Sequence, residues 1–547
     1  MAEANKHPKA LPYLFFTEMW ERFGYYLMIG IFTLFLKDTV EKGGYEMSEA
    51  DASSLYGTFI ALVFLTPFIG GLLADRVLGY RRSITIGGIL MGIGYLLMGF
   101  QSLPVLYTAM TLVIIGNGFF KPNISTLLGN LYNEEKFKPL KDSGYSIFYM
   151  GINIGAFICN FFGAAMKNIF NWQAAFATAG LGMFVGVVIF WIGTKHYQHA
   201  DVKKPVQKED MPLSRVFLLI LLPSVVFAII GYLIPLTFVK DKSTDAFIFA
   251  CVPIVYYYLT LYTQAAKIDK RPIAAMLAIF AVSIAFWAVF KQNGSALTTW
   301  ADRYTDRSLS EQMLEPAKKL YQTQEVSGDT ALYPVYDAQF RPTRDAENKV
   351  IKAPGLDPYL QNMPENERPA EGASIFLWST NLSQSINPAW VILLTPVVIG
   401  FFNLLRRKKR EPSTPAKIAW GLLVSALSTL VMVGAVIYAS NGQMKASPLW
   451  LLGCYGVITI GELFLSPMGL SMVSKLSPPR LTALMMGGWF LSTSIGNKLS
   501  GVLATLWDTY DNKANFFWVN FVLLLFAALL MFSILKWLNK IFKEHNV

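Results

Sequence analysis

Three ionisable side chains lie close together inside the first long apolar stretch of the chain. They belong to the segment Glu18-x-x-Glu21-Arg22-Phe23-x-Tyr25-Tyr26. At helical spacing Glu18, Glu21 and Arg22 share one face with the two tyrosines. A charge at the centre of a bilayer costs about 2.5–3.5 kcal/mol, so such residues normally face a wet cavity and handle ions, protons or substrate. The simpler alternative is a buried ion pair that only orients helices.

The composition predicts an integral membrane protein. Of 547 residues, 54% are hydrophobic and 15% are charged, whereas soluble domains carry about 25% charged residues. Cys159, Cys251 and Cys454 all lie in apolar segments, where cysteine behaves as a small hydrophobe. The sequence therefore predicts no disulfide framework, no metal site and no cofactor. It also offers no nucleophile–base pair at membrane depth, so we do not expect an enzyme.

The chain has a net charge of +11, and its basic residues are concentrated in the connections between apolar runs. The clearest case is Arg406-Arg407-Lys408-Lys409-Arg410, directly after such a run. Basic residues accumulate in cytoplasmic loops of membrane proteins. We therefore expect a multi-pass protein of the inner (plasma) membrane with both termini in the cytoplasm, and a nucleic-acid partner is the poorer explanation.

Apolar runs between charged or Pro/Gly-rich breaks predict fourteen helices. Their approximate bounds are 12–36, 53–74, 83–101, 104–131, 145–166, 174–194, 214–239, 246–264, 272–300, 373–404, 416–440, 448–474, 481–507 and 514–540. The pattern indicates a six-helix bundle in 1–200, a linker with two extra helices in 201–271, and a second six-helix bundle in 272–547.

A polar insertion at about 301–372 interrupts the second bundle, on the side away from the cytoplasm. Residues 301–371 contain 9 Lys/Arg and 13 Asp/Glu, a net charge of 9 − 13 = −4. Within it, Ser308–Gln324 is expected to form a short amphipathic helix. A connection of this length is either functional or mobile, and we expect a structural or gating cap.

A short internal repeat supports the two-bundle organisation. Gly116-x-x-Phe119-x-x-Pro122 in the fourth predicted helix recurs as Gly461-x-x-Phe464-x-x-Pro467 in the twelfth. In transporters built from repeats, the substrate site lies between the repeats near the bilayer midplane. Lys121 lies in the first copy and Glu462 in the second.

A glycine-rich and arginine-rich turn follows the second predicted helix, with the sequence Gly70-Gly71-Leu72-Leu73-Ala74-Asp75-Arg76-x-x-Gly79-x-Arg81-Arg82. It resembles the cytoplasmic-loop signature of the major facilitator superfamily. The resemblance implies that Asp75 accepts hydrogen bonds at a neighbouring helix end, while the arginines hold the turn in the cytoplasm. The implied gate residues are Gly71, Asp75, Arg76, Gly79, Arg81 and Arg82.

The first-helix segment narrows the resemblance further, because it is similar to the signature of proton-coupled oligopeptide transporters. Other segments extend this similarity over nearly all of the membrane portion: Gly118-Phe119-Phe120-Lys121-Pro122-Asn123, Phe148-Tyr149-x-Gly151-x-Asn153, Phe286-Trp287 with Gln292-x-Gly294-Ser295, Gln384-Ser385-x-Asn387-Pro388 and Gly461-Glu462-x-x-x-Ser466-Pro467. The family has a major-facilitator fold, and its bacterial members carry two inserted helices.

A receptor for zwitterionic peptides needs a fixed positive pole and a fixed negative pole. Arginine binds carboxylates bidentately and lysine adds a compact charge, so Arg22 and Lys121 suit the peptide carboxylate and Glu462 suits its ammonium group. The resemblance implies the same roles and adds polar and aromatic residues of the site: Tyr25, Tyr26, Tyr149, Asn153, Trp287, Asn387, Ser466 and Trp489.

Proton coupling needs carboxyl groups whose proton affinity changes as the cavity opens to either side. A neighbouring cation favours the charged carboxylate, so making and breaking a contact with that cation is a usable switch. Our hypothesis is that Glu18 and Glu21 respond to Arg22 and Lys121, and that protonation frees a cation for the peptide carboxylate. Glu462 completes the set of proton-coupling candidates.

Three positions depart from the family pattern. Gly57 stands where animal relatives have a histidine, Lys291 where the pattern Phe-Trp-x-x-x-Glu-Gln places glutamate, and Phe64 where tyrosine is common. Without the histidine at position 57, the carboxyl groups of the cavity are the expected proton sites. With Lys291 in place of the glutamate, a gating or proton-carrying role of that acid is in doubt.

We expect a proton-driven importer of di- and tripeptides, and of peptide-like drugs as further substrates, that works by alternating access. One alternative is a carrier of the same fold for nitrate, another anion or a drug-like solute. A second is a peptide receptor without transport. Retention of both Lys121 and Glu462 favours a zwitterion over a simple anion.

Overall fold

The computed structural model describes most of the chain and is built almost entirely of helices. The described residues are 6–37, 40, 43–45, 55–56, 59–60, 62–202, 212–234, 242–294, 296–335, 343, 345, 351–478 and 481–545. Their α-helices of at least seven residues are α1 Leu11–Lys37, α2 Pro67–Leu73, α3 Tyr80–Met98, α4 Leu103–Leu131, α5 Lys141–Ile169, α6 Trp172–Gly193, α7 Leu213–Leu233, α8 Lys242–Gln264, α9 Lys267–Phe290, α10 Glu311–Lys319, α11 Ser383–Arg407, α12 Thr414–Tyr438, α13 Pro448–Leu476, α14 Thr482–Thr509 and α15 Lys513–Glu544.

Ten helices of the described part are long and apolar enough to cross a membrane by length and composition: α4, α5, α6, α7, α8, α9, α11, α12, α13 and α15. Helix α1 has 27 residues but carries the three charges of the first segment. The protein is thus a multi-pass membrane protein, and the count of fourteen spanning helices stays a prediction.

Several helices begin where a short polar side chain can bind a free backbone N–H group. Asn171, Ser413 and Asn512 accept hydrogen bonds from backbone N–H groups in the first turns of α6, α12 and α15. Such caps satisfy donors that have no partner within the helix. The polar breaks that divide the apolar runs in the sequence are therefore the helix starts.

The helices form two bundles with α7 and α8 between them in the chain. In the first bundle, α1 packs against α5 and α6, and α3 packs against α4 and α6. In the second, α12 packs against α13 and α15, and α9 packs against α14. The bundles meet where α5 contacts α11 and α13, and where α14 contacts α2 and α4. The predicted domain boundaries stay predictions.

The two copies of the internal repeat lie at equivalent helix crossings. A Cβ atom on Gly116 would lie 2.7 Å from the Gly87 carbonyl oxygen, at the crossing of α3 and α4. A Cβ atom on Gly461 would lie 2.6 Å from the Gly421 carbonyl oxygen, at the crossing of α12 and α13. Each repeat glycine thus allows a close helix approach in its own bundle.

Helices α7 and α8 pack against each other and leave a wide apolar surface uncovered. Leu219 and Leu233 of α7 are 57% and 68% exposed, and Tyr256 of α8 is 65% exposed. Such a surface suits hydrocarbon, which is as apolar as the side chains themselves.

The polar insertion folds into a small α/β unit. It contains α10 and the strands β1 Thr323–Ser327, β2 Ala331–Pro334, β3 Lys352–Gly355 and β4 Ser374–Trp378. Strand β1 pairs with β4 and β2 pairs with β3, both antiparallel. The sequence predicted the amphipathic helix but not the strands. Helix α10 is also shorter than predicted, because it starts at Glu311 and ends at Lys319.

The insertion docks on the connection between α12 and α13. The Lys445 ammonium donates to the carbonyl oxygens of Arg303 and Tyr359, both at 2.7 Å. Asn362 donates to the carbonyl oxygens of Arg303 and Gly442. These buried polar contacts fix the insertion at one end of the second bundle.

Candidate functional site

A cavity of about 560 Å³ lies between the two bundles, within the size range of small-molecule sites. Its wall contains every residue expected to bind substrate: Arg22, Tyr25, Tyr26, Lys121, Tyr149, Asn153, Trp287, Asn387, Glu462, Ser466 and Trp489. Glu18 also lines it. The chain thus brings side chains from α1, α4, α5, α9, α11, α13 and α14 to one place.

Arg22 is bound by two carboxylates of its own helix. Its guanidinium donates two hydrogen bonds to Glu21, and its Nε lies 3.4 Å from Glu18 Oε1. All three side chains are buried. The guanidinium also lies 4.8 Å from the centre of the Tyr25 ring, a cation–π distance. Glu21 does not line the cavity, but it binds Arg22, which does.

Lys121 lies against aromatic rings and not against the glutamates of α1. Its ammonium nitrogen is 4.1 Å from the centre of the Phe64 ring and 4.9 Å from that of Phe490. Within the described residues it forms no ion pair with a carboxylate. Our hypothesis is that Glu18 and Glu21 respond to both Arg22 and Lys121, and in this conformation both carboxylates contact Arg22.

Glu462 joins helices of both bundles. Its carboxylate accepts hydrogen bonds from the Tyr149 hydroxyl and from Asn387 Nδ2, the latter at 2.9 Å. Tyr149 lies on α5 of the first bundle, whereas Asn387 and Glu462 lie on α11 and α13. The Asn153 amide donates to the Tyr149 carbonyl oxygen and is not among the hydrogen-bond donors to Glu462 in the described residues. Two donors stabilise the carboxylate and leave room for a third partner.

Several polar atoms in the cavity wall have no hydrogen-bond partner among the described residues. They include Glu18 Oε2, the Tyr25 hydroxyl and the Trp287 indole nitrogen. Buried polar atoms are normally bonded, so these atoms are available to a ligand or to water. The Trp287 and Trp489 rings lie edge to face at 6.5 Å and form the aromatic part of the wall.

The structure adds wall residues that the sequence interpretation did not select as ligand contacts. Asn160 lines the cavity and donates to Ser385 of the second bundle at 2.9 Å. Lys291 and Phe64, two departures from the family pattern, both lie in the wall. Position 57 lies outside the described residues. The signal for Asn160 was its place about two helical turns beyond Asn153 on the same face of the same helix.

The arginine-rich turn lies away from the cavity, between α2 and α3. The Asp75 carboxylate accepts a hydrogen bond from the Tyr80 hydroxyl at 2.6 Å. The backbone N–H groups of Tyr80 and Arg81, at the start of α3, are instead bound by Asp201. Gly79 has a φ of +80°, which glycine adopts without strain. The sequence did not indicate Asp201 as the helix cap.

The bundles are tied together at the end of the molecule where α6 and α13 finish, hereafter the terminal side. Asp142 of α5 lies 2.8 Å from the Lys475 ammonium and accepts a hydrogen bond from Ser471. Lys141 donates to the Ser474 carbonyl oxygen at 3.3 Å. These contacts cross between α5 and α13 and thus join the two bundles on this side.

The fold and the cavity define a membrane transporter in which a charged site lies between two helical bundles. The chain matches the sequence model named PTR2, described as the POT family, over residues 81–323 and 374–519. This match covers more than half of the chain, and the chain belongs to the POT family. Most of the docked insertion, 324–373, lies between the two matched parts.

Similar proteins share nearly the whole length of the chain. A di-/tripeptide transporter of Lactococcus lactis subsp. lactis is 27% identical over 540 residues, covering 97% of this chain and 95% of the relative. Dipeptide and tripeptide permease A of Escherichia coli is 28% identical over 517 residues, covering 93% and 86%. A crystal structure of a peptide transporter POT in complex with sulfate has a TM-score of 0.67 at 27% identity, covering 98% and 96%. The fold is the major-facilitator fold.

Proposed function

We propose that this protein is a proton-coupled symporter that imports di- and tripeptides by alternating access. The observation that carries the proposal is the placement of opposite charges across one cavity. Arg22 and Lys121 come from the first bundle and Glu462 from the second, and all three line the same space. The names of the relatives from Lactococcus lactis and Escherichia coli support peptides as substrates.

A zwitterionic peptide fits between these poles. Its carboxylate would meet Lys121, whose ammonium has no carboxylate partner among the described residues. Its ammonium group would meet Glu462, which already accepts from Tyr149 and Asn387. The peptide would then link the two bundles, which couples binding to their relative movement.

The proton would be carried by the carboxyl groups around Arg22. Protonation of Glu18 or Glu21 removes one of the two negative charges that hold the guanidinium, and it frees part of Arg22 to face a substrate carboxylate. The terminal side would face the cytoplasm of the inner membrane, with both termini there. The driving force is the proton gradient, without a cofactor.

The test is uptake of labelled dialanine into proteoliposomes, with and without an inward proton gradient. The intact protein should accumulate the peptide only with the gradient. Glu462→Gln should reduce uptake roughly 30-fold, since loss of a buried charge pair costs about 2 kcal/mol or more. Glu315→Gln, on the exposed face of α10, is the matched control. Binding without accumulation would indicate a receptor, and uptake of nitrate in place of peptide would indicate an anion carrier.

A further inference from the structure

Two lysines of the cavity wall carry positive charge that the protein itself does not neutralise by contact. Lys121 and Lys291 both line the cavity, and among the described residues neither forms an ion pair with a carboxylate. The Lys291 ammonium lies 5.8 Å from the centre of the Phe290 ring. By contrast, Arg22 is held by two carboxylates.

The formal charges around the cavity sum to zero before any proton or substrate arrives. With every group counted as ionised, Glu18, Glu21 and Glu462 contribute three negative charges, and Arg22, Lys121 and Lys291 contribute three positive ones. A neutral zwitterion leaves this sum unchanged. Once a proton is bound by a carboxyl beside Arg22, the sum becomes +1, and a substrate with one additional negative charge restores neutrality.

Lys291 belongs to the same bundle as the negative pole, Glu462. It begins the helical turn Lys291–Gly294 directly after α9, and α9 packs against α13, the helix that carries Glu462. Both side chains line the cavity. An anionic group of the substrate that contacts Lys291 would therefore lie on the side of the cavity formed by the second bundle, where the amino end of the peptide is proposed to bind.

We propose that Lys291 binds a second anionic group of the substrate, and that the cavity therefore favours peptides whose first residue is aspartate or glutamate. The inference rests on the proposed function, because it uses Glu462 as the partner of the peptide ammonium. An ammonium on a flexible four-carbon stem suits this task, since it can follow side chains of different length. Lys291 is then a determinant of specificity in addition to the two poles.

The experiment measures how well unlabelled dipeptides inhibit uptake of labelled dialanine. Glu-Ala and Gln-Ala differ by one charge at nearly equal shape, and Ala-Glu and Ala-Gln repeat the comparison at the second residue. We expect Glu-Ala to inhibit uptake about tenfold better than Gln-Ala, the effect of one partly screened charge contact. The difference between Ala-Glu and Ala-Gln should be smaller. Lys291→Gln should abolish the preference, Lys291→Arg should retain it, and Lys291→Glu should favour Lys-Ala.

The controls separate this inference from the proposed function. Lys536→Gln, on the exposed face of α15, should keep the preference for Glu-Ala. Extraction as a single monodisperse species establishes that each variant is folded. Absence of dialanine uptake in the intact protein would overturn the proposed function. Uptake of dialanine with equal inhibition by Glu-Ala and Gln-Ala, or a preference that survives Lys291→Gln, would overturn only the role of Lys291.

Discussion

Arg22 holds two carboxylates within one helical turn, and this places two candidate proton carriers around a single cation. Glu21 donates nothing and accepts two hydrogen bonds from the guanidinium, whereas Glu18 makes a longer contact at 3.4 Å. One oxygen of Glu18 has no partner among the described residues. The two glutamates are thus unequal, with Glu21 anchored to Arg22 and Glu18 open to the cavity.

Glu21→Gln should uncouple transport from the proton gradient. The amide can still accept a hydrogen bond from Arg22, so the helix packing is kept, but it cannot take up or release a proton. Proton-driven accumulation of dialanine should fall to the level of protein-free liposomes, while counterflow, which needs no net proton movement, should persist. Wild-type accumulation in this variant would remove Glu21 from the coupling mechanism.

At the level of elements, the repeated glycines set the distance between paired helices in each bundle. At Gly461 an added methyl group would lie 2.1 Å from Ser425 Oγ as well as close to the Gly421 carbonyl oxygen. Because one neighbour is backbone, α12 and α13 would have to separate. The glycine of each repeat copy is therefore needed for the close approach of two helices in its own bundle.

Gly461→Ala should lower the thermal stability of the purified protein, with a cost of about 1–3 kcal/mol typical of overpacking. Gly400→Ala in α11 is the matched control, because nothing lies within 4 Å of a Cβ atom there. Thermal unfolding of both variants followed by tryptophan fluorescence makes the comparison. Equal melting temperatures would mean that the crossing tolerates a wider separation.

Docking of the insertion should depend on pH through Lys445. Burial, together with the neighbouring Arg307, lowers the pKa of Lys445 to about 7 from an ordinary value of 10.5, against the opposing effect of Asp302, Asp306 and Asp357. At pH values between these two pKa values, Lys445 is protonated in the undocked state and largely neutral in the docked state. Docking should therefore strengthen as the pH rises from about 7 towards 10.

Limited proteolysis of the insertion checks this dependence. Cleavage should be slower at pH 9 than at pH 6.5, measured relative to Lys445→Met at the same pH to remove the protease's own pH dependence. In Lys445→Met the side chain cannot titrate, so docking of the insertion should not change between pH 6.5 and 9. A constant ratio between the two proteins would exclude Lys445 as the titrating group.

In the molecule as a whole, polar contacts hold the two bundles together on the terminal side. Asp142, Lys475 and Ser471 join α5 to α13 on the terminal side. Tyr149 and Asn160, further along α5, reach Glu462 and Ser385. Helix α5 therefore touches the second bundle along much of its length, and separation of the bundles on the terminal side must break the contacts of Asp142.

Asp142→Asn should shift the protein towards a state open on the terminal side. The ion pair is only partly buried, so we expect its loss to change the free-energy difference between the closed and open states by about 1 kcal/mol. This shifts the ratio of the two populations several-fold. Spin labels at Glu135 and Arg410, on opposite bundles, should report a longer mean distance. The exchange Asp142→Lys with Lys475→Asp should restore the distance, and failure of both changes to alter it would show that other contacts close this side.

The sequence alone predicted the membrane class, the charged face of α1, the short repeat and the expected binding residues, all of which line the cavity. These follow from hydrophobicity, from helical spacing and from motifs, all of which are local along the chain. The expected binding residues were found in one cavity because each motif lies at a fixed depth of its own helix. The number of spanning helices and the domain boundaries stay predictions.

The partner of each charged side chain could be read only from the folded structure. There Lys121 lies on Phe64 and Phe490 and not beside the glutamates, Asp201 caps α3, and Lys291 lines the same cavity as Glu462. In the insertion, β1 and β4 pair residues about fifty positions apart. The physical reason is the same in each case: these contacts join distant parts of the chain, and their distances depend on how the helices pack, which no local pattern encodes.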